Sequence, residues 1–142
     1  GFIPTGYIPN EFQKLDVYKR IADIENQSEK DDMIDELIDR FGEPPQSVCN
    51  LLDIALLKVQ AHEAYITAIS EKPNGIRIQM YEKAEVQSGK IPELIAKFGR
   101  KLRFVPDSVP YFVYAAEEGE ELLPQLKYVV ENISGIKMSK GE

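Results

Sequence analysis

The side chains able to do chemistry are few and poorly placed for catalysis. His62 is the one histidine, and no second histidine or cysteine stands at ligand spacing from it. A metal site therefore has no material, and a partly buried structural histidine is expected. Ser88-Gly89-Lys90-Ile91 resembles the end of a phosphate-binding loop, but Ala84 stands where the first glycine is needed and Ile91 where the magnesium-binding hydroxyl is needed. No nucleotide or other cofactor is expected. Asp107-Ser108 lacks an oriented base for a serine nucleophile and reads as a turn. Carboxylates are numerous, yet an acid and base pair is made by tertiary geometry, which counting does not provide. The run Glu117-Glu118-Gly119-Glu120-Glu121 reads as a solvated helix start, where the helix dipole favours negative charge.

One acidic group has a sharper geometry. Counting 100° per residue, Asp32, Glu36 and Asp39 fall within about 60° of one another, nearly opposite a stripe of Ile34, Leu37, Ile38 and Phe41. Asp39 falls in the last turn, where a negative charge works against the dipole by about 0.3–1 kcal/mol, so helix stability gives no reason for it. Glu36 can pair with Arg40 one turn on, and solvated acids on an exposed helix face are common. The other use of such a ridge is to receive arginines from a partner, since carboxylates match the guanidinium fork.

The elements that must position these groups are marked by caps and breakers. Pro4, Gly6 and Pro9 predict an extended arm over residues 1–10, ended by Asn10 as the N-cap of a first helix reaching about Ile24. Leu15, Val17, Tyr18, Ile21 and Ala22 form a broad apolar band on that helix. Ser28 followed by Asp31 suggests the cap of a second helix, which Gly42 stops. Pro44-Pro45 opens a third, reaching about Glu63 and apolar around nearly its whole circumference, so it is expected to be the most buried. Beyond Ala64 the period becomes strand-like: Tyr65–Ser70 and Ile76–Tyr81 flank Lys72-Pro73-Asn74-Gly75 as a hairpin with Ile76, Ile78 and Met80 on its dry face. A short helix over Ile91–Phe98, strands over Leu102–Val105 and Tyr111–Ala115, and a last helix carrying Leu122, Leu126, Val129, Val130 and Ile133 complete the pattern. Helices followed by strands, with no repeat or linker between them, predict an α+β fold: an N-terminal helical part packed with a mainly antiparallel sheet and flanking helices. Residues 11–136 read as a single domain and 137–142 as a flexible tail.

The totals exclude several functions. Seventeen Lys and Arg against 24 Asp and Glu leave a net charge of −7, which repels a phosphate backbone, so direct DNA binding is not expected. No apolar run approaches the roughly 18 residues of a membrane span, and no signal pattern opens the chain. The lone Cys49, flanked by apolar residues, cannot form an internal disulfide and fits a reducing cytoplasm. A start at Gly1 followed by Phe2-Ile3-Pro4 suggests a fragment excised from a longer protein.

Three blocks, Tyr7-Ile8-Pro9, Tyr18-Lys19-Arg20-Ile21-Ala22 and Glu36-Leu37-Ile38-Asp39-Arg40-Phe41-Gly42 with Pro45 after it, occur in an order and spacing that resemble the C-terminal domain of bacterial transcription-repair coupling factors, often called Mfd. Leu51-Leu52-Asp53-Ile54-Ala55 extends the resemblance through about the first 65 residues. The resemblance implies a parent that is an ATP-driven DNA translocase, which removes stalled RNA polymerase and recruits nucleotide-excision repair. It implies for this part a non-catalytic, autoinhibitory role. The domain would pack on a UvrB-like N-terminal module of the same polypeptide and cover the surface that recruits UvrA. Glu36 and Asp39 match acidic positions of the family's motif, and are expected to face arginines on that module.

Two other classes compete. An accessory nucleic-acid-contacting module would rest on Lys97, Arg100, Lys101 and Arg103, and its binding would fall steeply with salt. A hydrolase would need two acids converging in a pocket, which acids on an exposed ridge do not do.

Overall fold

The protein is described here by a computed structural model covering residues 2–85, 89–136 and 139–140. The chain divides into two compact units, Gly1–Val59 and Gln60–Glu142. The expected tail lies mostly outside the described residues, as does Ser88 of the loop weighed above.

The first unit is helical. Helix α1 spans Glu11–Ala22, α2 Gln27–Phe41, and α3, which begins at Gln46 and ends at Glu63, crosses into the second unit. Asn10 caps α1 as expected, its Oδ1 accepting from the Gln13 N–H at 3.0 Å. The cap of α2 is Asn26 and not Ser28: Asn26 Oδ1 accepts from the Glu29 N–H at 2.8 Å, because the link after α1 is short enough to start the helix two residues earlier. The core joins Ile3 and Ile8 to Val17, Ile21, Ile24, Met33, Leu37, Val48, Leu52 and Ala55. The arm thus supplies two core side chains, and polar bonds pin it. The Ile3 N–H donates to the Tyr18 hydroxyl at 2.7 Å, and the Tyr7 hydroxyl donates to the Gly42 carbonyl at 2.7 Å while its ring lies 5.8 Å from that of Phe41. Gly42 takes φ +85 at the end of α2, a value that suits glycine.

The apolar bands differ from the expected ones. On α1, Val17 and Ile21 are buried and Tyr18 half-buried, whereas Leu15 and Ala22 are exposed. On α2 the inner stripe is Met33, Leu37, Ile34 and Phe41, and Ile38 is exposed. A one-residue step turns a helix face by about 100°, so Met33 replaces Ile38 when the core lies toward the Met33 side. Helix α3 buries Val48, Leu52, Ala55, Leu56, Leu57 and Ala61, more than either neighbour.

The second unit is built on a sheet. Strands β1 (Ile66–Lys72), β2 (Gly75–Met80), β4 (Leu102–Val105) and β5 (Tyr111–Tyr114) form one antiparallel sheet in the order β1-β2-β5-β4. Ile76, Ile78 and Met80 are buried as the alternation predicts. The positive φ at the β1–β2 turn belongs to Gly75 alone, at +133, and a Cβ there would sit 2.8 Å from the Tyr114 carbonyl oxygen. Helix α4 (Ile91–Phe98) and helix α5 (Leu122–Ser134) flank the sheet, with the Phe98 ring 6.3 Å from Tyr114 and 5.6 Å from Tyr128. A two-strand ribbon, β3 (Ala84–Glu85) with β6 (Ser139–Lys140), was not expected from the sequence. The whole is α+β, helices with a four-stranded antiparallel sheet.

Candidate partner interface

The acidic ridge lies on α2, and the sequence that makes α2 a helix also divides the ridge. Its inner stripe fixes which way the helix faces. Asp32 and Asp39 then project to solvent, while Glu36 is half-buried at the edge facing α1. Arg20, near the C-terminus of α1, meets Glu36 with both guanidinium nitrogens. Nη2 donates to Oε1 at 2.6 Å, and Nη1 donates to Oε2. Arg40, one turn further along α2, donates to the same Oε2 at 3.0 Å, with its guanidinium 4.8 Å from the centre of the Phe41 ring.

Both oxygens of Glu36 therefore already accept from arginines of this chain. The hydrogen bonds from Arg20, then the one from Arg40, hold the Glu36 carboxyl down to about 2, with burial opposing them. Arg20 is shifted up in turn, first by its bond to Glu36. Bidentate pairing of this kind fixes geometry more than it adds stability, because both partners remain in contact with water. It joins the end of α1 to the middle of α2.

Asp39 differs. It is exposed, and among the described residues it forms no hydrogen bond and no ion pair. Of the two expected interface residues, Glu36 is thus held inside the α1–α2 pair, and Asp39 is exposed with its carboxylate unpaired among the described residues. Arg20, which lies in the Tyr18-Lys19-Arg20-Ile21-Ala22 block but was not chosen as an interface residue because a structural salt bridge explains it equally well, completes the arrangement with such a bridge. Sixteen residues separate it from Glu36, and the four-residue link between α1 and α2 makes the two helices neighbours. The sequence reading also missed Phe12, which is 84% exposed, beside Leu15 at 64%.

The other candidates fall elsewhere. His62 is exposed at the end of α3 and not partly buried, since that last turn presents it away from Ala61 and Ala64. Cys49 is half-buried, with its thiol 3.9 Å from the Pro44 carbonyl. The Ser108 N–H donates to Asp107 Oδ1 at 2.9 Å, as in a turn. Of the basic group, Lys97 donates to Asn132 at 2.6 Å and Lys101 pairs with Glu117 at 2.6 Å, while Arg100 and Arg103 are exposed. The acidic run is gathered by Gln125, whose side-chain nitrogen donates to the carbonyls of Glu117, Glu120 and Glu121. Among the described residues no cluster of His, Cys, Asp and Glu could hold a metal ion, and no helix is long and apolar enough to cross a membrane.

Comparison with known proteins adds three findings. A family model described as the TRCF domain matches residues 1–91. The transcription-repair-coupling factor of Bacillus subtilis (strain 168) is 30% identical over 139 residues, covering 96% of this chain and 12% of that protein; that of Staphylococcus aureus (strain USA300) is 42% identical over 84 residues, 59% of this chain and 7% of that protein. A crystal structure of the C-terminal domain of a transcription-repair coupling factor superposes with a TM-score of 0.82 at 25% identity, covering 96% of this chain and 88% of that one. The chain spans about 12% of the length of the first of these full-length relatives.

Proposed function

From the premise that this chain belongs to the transcription-repair coupling factor family and corresponds to its C-terminal domain, we propose that it is a regulatory clamp. It packs on the UvrB-like N-terminal module of its own polypeptide and masks the surface that recruits UvrA, in the cytoplasm. The parent is then an ATP-driven translocase that acts on stalled RNA polymerase, and a rearrangement that opens the clamp exposes the recruiting surface. The observation that carries the reading is the open carboxylate of Asp39 beside the closed Arg20–Glu36–Arg40 cluster. Glu36 orders the two helices, and Asp39 offers the acceptor.

A clamp of this design has to be weak. An exposed ion pair contributes about 0.2–1 kcal/mol, which biases a closed state without locking it. A tether supplies effective concentration, so opening has to overcome only a few kcal/mol.

Calorimetry of this chain against the separately expressed UvrB-like module tests the reading, with Asp39→Arg and Glu36→Arg run beside the wild type. Asp39→Arg should keep the fold and weaken binding severalfold. Glu36→Arg should lower stability as well, because it places a third positive group between Arg20 and Arg40. A wild type that shows no binding at high concentration would sink the clamp.

A further inference from the structure

We infer that the outer face of the four-stranded sheet binds an extended acidic protein segment, whose carboxylates are taken by Arg77 and Arg103. The site lies in the unit Gln60–Glu142, and the inference does not rest on the clamp reading.

The sheet has two unlike faces. Ile76, Ile78, Met80, Phe112 and Tyr114 are buried on one of them. Strand register puts Arg77 and Gln79 of β2, Tyr111 and Val113 of β5, and Arg103 of β4 on the other. There Arg103 is exposed, Arg77, Gln79 and Tyr111 are half-buried, and Val113 is buried. Arg77 and Arg103 are both cross-strand partners of Val113. They stand on either side of it, with Cα atoms about 10 Å apart, two strand spacings.

Both arginines lack an acceptor in this chain. The Arg77 guanidinium lies 3.8 Å from the centre of the Tyr111 ring. That stack holds the fork flat but gives its N–H groups nothing to donate to. Nε is enclosed without an acceptor, an arrangement that costs stability. Among the described residues neither arginine forms an ion pair, whereas Arg20 and Arg40 share Glu36. A flattened guanidinium with donors to spare matches the two oxygens of a carboxylate.

The charge that selects the occupant is that of the face itself. Lys72, two residues beyond Ser70 on β1, joins the arginines, because Ser70 pairs with Arg77. Glu71, the one acid in the four strands, pairs with Ile76 and so belongs to the opposite face. Beyond the strand ends Glu117 is engaged by Lys101 at 2.6 Å, and Asp107 by the Ser108 N–H at 2.9 Å. Positive charges without an acid among them suit a few carboxylates. They suit a nucleic acid less. Tyr111, the one aromatic ring that the strands place on this face, is capped by Arg77, and a polyanion running past the face meets a chain of net charge −7. An extended peptide with acids at alternate positions spaces them about 7 Å apart on one side, within reach of two long side chains that flank Val113.

The test is an NMR titration of the isotopically labelled chain with a short peptide of alternating Glu and Ser. Its Gln and Ser counterpart and an oligothymidylate of similar length run beside it, at low and high salt. Arg77→Gln and Arg103→Gln are titrated in parallel, with urea unfolding of each as the check on folding. The Glu peptide should shift the amides around Arg77, Val113 and Arg103, and the Gln peptide should leave them in place. Each variant should lower affinity about twofold to fivefold, and salt should weaken the wild type. Arg103→Gln, at an exposed position, should do so at unchanged stability, and it decides alone if Arg77→Gln does not fold. No shifts with the Glu peptide, shifts confined to α4, or an affinity that Arg103→Gln leaves unchanged would overturn the inference. Oligothymidylate held by the same arginines more tightly than the peptide would overturn it too, and would make the occupant a nucleic acid.

Discussion

In the unit Gly1–Val59, side chains hold the backbone in place: the Tyr7 hydroxyl ties the arm to the end of α2, Tyr18 takes the Ile3 N–H, and Arg20 clips α1 to α2 through Glu36. In the unit Gln60–Glu142 the backbone does most of this itself, through the ladder β1-β2-β5-β4, and side chains fill in around it. Charge divides in the same way. The first unit has twice as many acids as bases, and the second has eleven Lys and Arg against twelve Asp and Glu. The helical unit therefore carries almost all of the net negative charge, although charge is not what its core needs. The difference separates two uses of a surface. Motif residues such as Tyr7, Ile8, Leu37, Phe41 and Gly42 build the fold; of the two acids among them, Glu36 is paired within the unit and Asp39 is exposed with no ion pair among the described residues.

That comparison breaks most sharply at the ladder. Gly75→Ala puts a Cβ 2.8 Å from the Tyr114 carbonyl oxygen at φ +133, so β2 and β5 must separate or the turn must rearrange. A loss of about 2–3 kcal/mol in urea unfolding is expected. An unchanged midpoint would show that the sheet does not depend on that close approach. In the helical unit the matching probe is a side chain. Tyr7→Phe removes the donor to the Gly42 carbonyl and keeps the ring against Phe41, for an expected loss of about 0.5–1.5 kcal/mol. A cost above that of Gly75→Ala would reverse the ranking of the two units.

How much of this was legible follows the same division. Local signals predicted local structure: Asn10 as a cap, Gly42 as a stop, and the alternation of Ile76, Ile78 and Met80. Features that depend on distant segments were hidden. The inner face of α1 is chosen by what packs on it, so periodicity alone put Leu15 in the band that Val17 and Ile21 fill. The β3–β6 ribbon joins segments of two residues each, too short to show a period. For the site, the resemblance singled out Glu36 and Asp39 as a pair, and their different surroundings came only with Arg20.

The charge cluster gives a prediction that pH can read. The Glu36 carboxyl is held near 2, below its ordinary 4.5, so its contribution is fully present above about pH 4.5 and is lost as pH falls toward 2. With both partners in contact with water, the contribution is expected to be about 0.2–1 kcal/mol. The stability gap between wild type and Glu36→Gln should hold steady from neutral pH to about 4.5 and close by about pH 2. A gap that persists at pH 2 would mean that packing, and not the ion pair, sets the role of Glu36.

An effect of similar size sharpens the comparison most, because it has the opposite sign. Asp39 places a negative charge in the last turn of α2 and gains no described intrachain partner in return. Asp39→Asn should therefore raise stability, by about 0.3–1 kcal/mol at low salt and less at high salt. A residue kept for folding loses stability when it is replaced; one kept for a partner can gain stability and lose binding together. Measuring unfolding and module affinity on the same Asp39→Asn preparation distinguishes the two. A fall in both would assign Asp39 to the fold, and would leave the helical unit's acidity without the external use argued for it.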